Sequence, residues 1–403
     1  MTGSGLLQED SRYLLNVYKR MSLVVDKAEG CYLVDGDGRR YLDMVGGIAV
    51  NGLGYADPEI RAAINNQLES YIHLSNFFVS PAVVDLARML VEGTFAGKVF
   101  FTNSGTEAVE AALKLARKHG HAKSPGKTDV VALFDSFHGR TYGAMSLTGK
   151  ARYRDPFSPT VPGIKHVPIN AVQDLRGAVT DTTCAIFLEV IQGESGVRPL
   201  NDDFVAEVTR LANAHDALIV ADEIQTGLGR TGRLFAHEHF DLVPDLMTVG
   251  KSLGGGLPLG ALLVADRLED VLSPGEHGST FGGNPVACAA GAAVLRRVSN
   301  PAFLAGVRRS EELLRDGLSD LQQKYPEIIG EVRGRGLMLG IEVGLFARKL
   351  QQLALEQGLL LNVTNETVIR LLPPLTISNA ELEHFLQLFT QACAAVSGGA
   401  NNV

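Results

Sequence analysis

The stretch LIVADEIQTG spans residues 218–227. Leu218, Ile219, Val220 and Ala221 are apolar without alternation, the pattern of a strand buried on both faces of a parallel sheet. The run ends in two acids, Asp222 and Glu223, and an amide, Gln225. A carboxylate at the mouth of a buried strand needs a partner, because desolvating an unpaired charge is costly. Taken alone, the acidic pair reads as a solvated turn. In open α/β sheets, however, ligands bind outside the carboxyl ends of the strands. Asp222 stands at such an end, so its meaning depends on what the other strand ends present.

From about residue 57, apolar segments alternate with amphipathic helical ones. Strands are expected at Val99–Phe101, Val130–Phe134, Ala185–Leu188, Leu218–Ala221, Met247–Val249 and Ala261–Val264, with helices at 106–119 and 202–215. This alternation predicts an α/β fold with a mostly parallel sheet covered by helices. Ahead of it, CYLVDGDGRRYLD (31–43) reads as a hairpin turning through Asp-Gly pairs. Behind it come an Ala-rich helix after 285 and a helical stretch to about 325. Strands near 336–343, 358–363 and 368–372 and a final helix at 378–396 follow. The tail SGGANNV is expected to fray. The expected division is a hairpin segment (1–56) joining a small domain, a large domain (57–290) and a C-terminal small α+β domain (291–403).

Lys and Arg number 37 against 45 Asp and Glu, a net charge of -8 over 403 residues. That balance argues against nucleic acid, since few phosphates could be neutralised, and no polybasic run suits a membrane surface. Cys31, Cys184, Cys288 and Cys393 are scattered without a C-x-x-C pair, which suggests a reducing compartment and no zinc site. MTGSGLLQEDSR does not read as a signal peptide, and no apolar run reaches spanning length. A cytoplasmic protein is expected.

The other strand ends carry chemistry. In FFTNSGTEAVEAALKLARKHG (100–120), Ser104, Gly105 and Thr106 open a helix whose free N–H groups suit a phosphate, although an S-x-x-E capping box alone explains Ser104 and Glu107. In LFDSFHGRTYGAMSLTG (133–149), Phe137 could stack on a planar ligand and Arg140 grip a carboxylate. In IFLEVIQGESG (186–196), Glu189 closes an apolar strand. In LMTVGKSLGGGLPLGALL (246–263), Lys251 follows a strand and precedes three glycines. Half-buried, such an amine becomes a usable nucleophile. GLGRTGR (227–233) lacks the Lys and Ser/Thr of a phosphate loop, and HEH (237–239) reads as surface because its histidines cannot share a helical face. Nothing suggests a metal.

A nucleotide site would not need the lysine, and a metal site would want more histidine. A phosphate cradle, an aromatic, an arginine, acids, an amide and a lysine together fit pyridoxal 5′-phosphate. Asp222 would hold the proton on its pyridine nitrogen and Gln225 would meet its ring hydroxyl.

These residues resemble the class III aminotransferases and, within them, the acetylornithine aminotransferases. The resemblance rests on GGIAVNGLG (46–54), NSGTEAVEAALKLAR (103–117), FHGRT (137–141), IQGESG (191–196), ADEIQTGLGRTG (221–232), GKSLGGGLPLGA (250–261) and HGSTFGGNPVACAA (277–290). It implies a fold-type I architecture, a homodimer sharing its active sites, and transfer of an amine from N2-acetylornithine to 2-oxoglutarate. Succinylornithine, ornithine or 4-aminobutyrate are alternative donors, and an aminomutase is a more distant alternative. The resemblance also implies that Lys251 tethers the cofactor, with Asp222 on its pyridine nitrogen, Phe137 on its ring and Gly105 and Thr106 at its phosphate. Thr280 would reach that phosphate from the neighbouring subunit. Arg140 and Ser279 would line the acetylornithine pocket. Glu189 and Arg370 resemble a switch pair, in which Arg370 binds the glutamate α-carboxylate and Glu189 masks it. Val190 stands where proline is common, Ser195 where glycine is, and Tyr55 and Asp57 where histidines are. None removes a catalytic group.

Overall fold

The structure, a computed structural model, describes residues 3–400. The last three residues of the SGGANNV tail lie outside that range, and its first four continue the final helix. After an N-terminal helix (Gly3–Tyr13) come three strands, β1 (Val25–Glu29), β2 (Tyr32–Asp35) and β3 (Arg40–Asp43). β2 and β3 form the hairpin. Asp35 Oδ1 accepts from the N–H groups of Asp37 and Arg39 at 3.0 and 2.9 Å, and Gly38 supplies a φ of +83° for the turn.

The central sheet has seven strands: β4 (Ala96–Thr102), β5 (Asp129–Leu133), β6 (Ile164–Val167), β7 (Thr183–Leu188), β8 (Leu218–Asp222), β9 (Leu246–Val249) and β10 (Gly260–Ala265). Their spatial order is β4-β10-β9-β8-β7-β5-β6, and β10 alone runs against its neighbours. Every residue of β7, β8 and β9 is buried, as unalternating apolar runs require. Successive side chains enter opposite cores. Val130, Ala132, Phe187 and Val220 pack with Val109, Ala112 and Ala116 of helix α1 (Gly105–Lys123). Val131, Leu133, Ile186 and Ile219 pack with Phe204, Val208 and Leu211 of α2 (Asp202–His215) on the other face. β6 has no sequence signature, because Lys165 and His166 interrupt its apolar run; a sheet edge with one neighbour tolerates them.

Beyond the sheet, α3 (Pro285–Val298) and α4 (Pro301–Lys324) divide at Asn300-Pro301, where the Asn300 side chain accepts from Ala302 N at 2.9 Å. A second, antiparallel sheet follows: β11 (Val332–Arg335), β12 (Met338–Glu342), β14 (Asn362–Thr364) and β15 (Val368–Leu371), in the order β11-β12-β15-β14. The strand expected near 336–343 is β12, and β11, its hairpin partner, precedes the expected range. Between them, β13 (Leu359–Leu360) pairs in parallel with β3. Helix α5 (Asn379–Ala400) is the last of the described elements.

Candidate active site

The carboxyl ends of β4, β5, β7, β8 and β9 open on one edge of the sheet, and the loops that leave them converge. Gly105, Thr106, Phe137, Arg140, Glu189, Asp222, Gln225 and Lys251 line one cavity of about 220 Å³. Asp222 lies at its floor, nearly buried. Its Oδ1 accepts from Ile224 N at 3.1 Å, and its Oδ2 stands 2.7 Å from His138 Nδ1.

His138 has no assigned role in the sequence reading, yet it orients the central acid. Burial opposes its charge, but the hydrogen bond and charge of Asp222 outweigh that, so its pKa is raised above the ordinary histidine value. Its Nε2 is buried and finds no partner among the described residues. The signal was its place beside Phe137. The Asp222 contact, 84 positions away, has no local signature.

Lys251 follows β9 through Gly250 and opens a short 3₁₀ turn to Gly254. Its φ of +45° lies in the left-handed region, a cost that clusters at functional sites. Its Nζ makes no hydrogen bond or ion pair among the described residues. Burial pushes the amine below its ordinary pKa, with Asp222 and Glu194 pulling the other way.

At the N-terminus of α1, Ser104 Oγ accepts from Glu107 N at 3.4 Å, while Glu107 Oε2 accepts from Asn103 N at 2.6 Å. Ser104 is thus occupied as a helix cap and does not line the cavity. Thr106 Oγ1 accepts from the N–H groups of Arg140 and Thr141, both at 3.2 Å, joining the FHGRT loop to the helix. Gly105 and Gly139 permit that approach. A Cβ on Gly105 would fall 2.6 Å from Ile224 Cδ1, and one on Gly139, at φ +142°, would fall 2.2 Å from Thr106 Oγ1.

The expected switch pair is corrected by the geometry. Arg370 pairs with Glu194, not Glu189: its NH1 lies 2.6 Å from Glu194 Oε1. The same NH1 donates to Gln225 Oε1 at 3.1 Å, and Nε and NH2 donate to Asn362 Oδ1 at 3.1 and 2.8 Å. Burial alone would raise the Glu194 pKa, but Arg370 lowers it further, leaving it below the usual carboxylate value. Glu189 turns elsewhere and accepts from Phe137 N at 2.9 Å and Gly193 N at 3.3 Å. Burial pushes its pKa up to about 7. Both acids belong to one loop, and only the distance to β15 tells them apart.

Ser279 and Thr280 lie outside the cavity of their own chain. Ser279 Oγ accepts from Asn103 Nδ2 and Gly282 N, both at 3.0 Å, and Thr280 is exposed. Glu223, the second acid of the opening stretch, is structural. It accepts from His237 N at 2.7 Å and from the Thr226 hydroxyl. HEH is therefore not a free surface: His237 braces Glu223, and His239 Nε2 contacts Thr231 O at 3.0 Å. In GLGRTGR, Arg230 is buried and donates to Leu337 O and Pro373 O, tying the loop after β8 to the second sheet.

The residues fit pyridoxal 5′-phosphate. A carboxylate braced by His138 faces the cavity, an aromatic face borders it, a free amine of lowered pKa enters it, and a helix N-terminus bared by glycine offers an anion cradle. Fold and site together define a fold-type I transferase. The family follows from comparison: residues 14–393 match the model for Aminotransferase class-III, and the chain belongs to that family. It is 45% identical to the acetylornithine aminotransferase of Caldanaerobacter subterraneus subsp. tengcongensis, over 97% of this chain and 100% of that one. Among solved structures it resembles the N-acetylornithine aminotransferase of Stenotrophomonas maltophilia (TM-score 0.84, 34% identity, 98% of this chain and 100% of that one). It also resembles an ornithine aminotransferase from Toxoplasma gondii with partial occupancy of pyridoxal phosphate at its active site (TM-score 0.94, 32% identity, 99% and 96% covered).

Proposed function

We propose that this aminotransferase moves the terminal amine of N2-acetylornithine to 2-oxoglutarate. The products are N-acetylglutamate 5-semialdehyde and glutamate, and the reaction belongs to arginine biosynthesis. The observation that carries this reading is a pair of guanidinium groups in different states. Arg140 is exposed and in no ion pair among the described residues, whereas Arg370 is buried and masked by Glu194. An enzyme that handles two substrates in alternation needs such an asymmetry. With Arg370 masked, a donor whose α-carboxylate lies far from its reacting amine binds through Arg140. With Glu194 displaced, Arg370 takes the α-carboxylate of glutamate or 2-oxoglutarate and Arg140 takes the distal one.

Pyridoxal 5′-phosphate, when bound, supplies an electron sink and a carbonyl that takes up and returns the amine. The chain's residues do the rest. Lys251 would hold the cofactor, and its Nζ would take the proton from the amine-bearing carbon as general base. Burial lowers its pKa, the direction that favours the neutral amine this task needs. Asp222, steadied by His138, would hold the proton on the pyridine nitrogen. Phe137 would pack on the ring, Gln225 would hydrogen-bond it, and the Gly105–Thr106 amides, with Ser104 capping the helix, would hold the phosphate. Glu189 fixes the Phe137 loop through its backbone.

A shared site is proposed as well. Asn76 Nδ2 donates to Ser279 O at 2.8 Å, which brings the exposed Phe77, Phe78 and Val79 beside exposed Phe281. An apolar patch next to Thr280 suits burial by a second copy, which supports a homodimer in which Thr280 and Ser279 complete the partner's site. The pairing of β13 with β3 supports counting residues 1–56 with the C-terminal unit 291–403, apart from the large domain 57–290. All four cysteines are free and buried, which supports a reducing, cytoplasmic location. No described helix is long and apolar enough to cross a membrane.

The test is a donor panel on purified holoenzyme: N2-acetylornithine, succinylornithine, ornithine and 4-aminobutyrate, each with and without 2-oxoglutarate. The highest kcat/KM for N2-acetylornithine, dependent on the oxo acid, is expected. Preference for 4-aminobutyrate would remove Arg140 from its role, and turnover without 2-oxoglutarate would indicate a mutase.

A further inference from the structure

We infer that Tyr153 is a positioning residue that aims Arg140 at the donor's carboxylate and thereby sets donor specificity; the inference rests on Arg140 being the carboxylate anchor. Arg140 is exposed and has no acidic partner among the described residues, so no ion pair fixes its fork. Two aromatic faces do so instead. Its Cζ lies 4.1 Å from the Tyr153 ring centroid and 5.5 Å from that of Phe137, and the two rings meet edge-to-face at 5.9 Å with 86° between planes. A guanidinium lying on a ring face keeps its in-plane N–H donors free. The rings therefore orient Arg140 without consuming the hydrogen bonds a carboxylate needs. An acid in their place would compete with substrate.

Tyr153 is itself held. Its N–H donates to Lys150 O at 3.0 Å, and Arg152 donates to its hydroxyl at 3.0 Å with Cζ 4.8 Å from its ring. Lys150 is buried, and its Nζ donates to the carbonyl of Glu194, so the turn carrying Tyr153 is docked on the loop that masks Arg370. Ordering Arg140 in advance lowers the entropy lost on binding, and that gain applies only to ligands with a carboxylate to present.

The test compares Tyr153→Leu, Tyr153→Met and Tyr153→Phe holoenzymes on N2-acetylornithine and on N-acetylputrescine, which has the same amine and acetyl group but no carboxylate. Loss of the ring should raise KM for N2-acetylornithine about 3- to 10-fold, the scale of one cation–π contact, and leave kcat nearly unchanged. The kcat/KM for N-acetylputrescine should not move, and Tyr153→Phe should restore the wild-type KM. Methionine keeps the apolar bulk without a π face and serves if the leucine variant does not fold. An equal loss on both donors, an unchanged KM, or failure of phenylalanine to rescue would overturn the inference. Arg140→Ala separates it from its premise. If that variant affects both donors alike, the anchor reading fails; if it is selective while the ring-less variants are not, only the role of Tyr153 fails.

Discussion

Replacing Glu194 by glutamine keeps the shape of the side chain and removes the charge that masks Arg370. The Arg370 guanidinium is 1% exposed, and of its acceptors only Glu194 is ionised; Gln225 and Asn362 offer neutral oxygens. Breaking a buried pair costs about 3–5 kcal/mol. Glu194 keeps 21% side-chain exposure, so solvent softens the loss, and about 1.5–3 kcal/mol is expected, the worth of a hydrogen bond between charged groups. The same change unmasks Arg370 for any ligand bringing its own carboxylate. At 1.4 kcal/mol per decade, preference for glutamate over N2-acetylornithine should rise at least about tenfold. Single-turnover half-reactions with each amine, followed by the cofactor's absorbance, read that ratio directly. Glu189→Gln should leave it unmoved, because Glu189 bonds to backbone N–H groups and not to Arg370. If Glu189→Gln shifts the ratio and Glu194→Gln does not, the assignment of the mask is wrong.

His138→Asn removes the imidazole that braces Asp222. Cofactor affinity and kcat should each fall about 10- to 100-fold, the range seen when a residue orienting a primary ligand is lost, measured by cofactor titration and turnover. Gly139→Ala places a Cβ 2.2 Å from Thr106 Oγ1 at a φ unfavourable to alanine; loss of stability by about 1–3 kcal/mol is expected in denaturant unfolding. Glu189 titrates near 7 in the folded chain against an ordinary 4.5. A raised carboxyl pKa means the folded state holds the extra proton. The group's contribution is therefore full below about pH 4.5 and lost as pH rises toward 7, on the order of 3 kcal/mol. Urea unfolding of the cofactor-free protein at pH 5 and 8 should show a smaller pH difference in Glu189→Gln than in wild type.

The central strands were legible because burial on both faces leaves unbroken apolar runs. Asp222 and Lys251, each of which alone reads as a solvated loop charge, were legible only together with the other polar strand ends, and the structure brings both to one cavity. The helix at Gly105 was announced by its capping box. What the sequence hid depends on distances across the fold. The brace from His138 to Asp222, the shelf of Tyr153 beneath Arg140 and the carbonyl grip of Arg230 join segments with no shared periodicity. The choice between Glu189 and Glu194 was hidden for the same reason. Five positions apart in one loop, they are separated only by where β15 places Arg370. β6 was missed because an edge strand need not be apolar.

The central claim is that Lys251 and Asp222 meet one pyridine ring from different sides. Borohydride reduction of the holoenzyme, followed by peptide mass spectrometry, fixes the carbon–nitrogen link and reports which lysine carries it. The account predicts the adduct on Lys251 alone, with the visible absorbance lost in Lys251→Ala. An adduct on Lys150, the buried lysine docked on the Glu194 loop, or an unchanged spectrum in Lys251→Ala would contradict it.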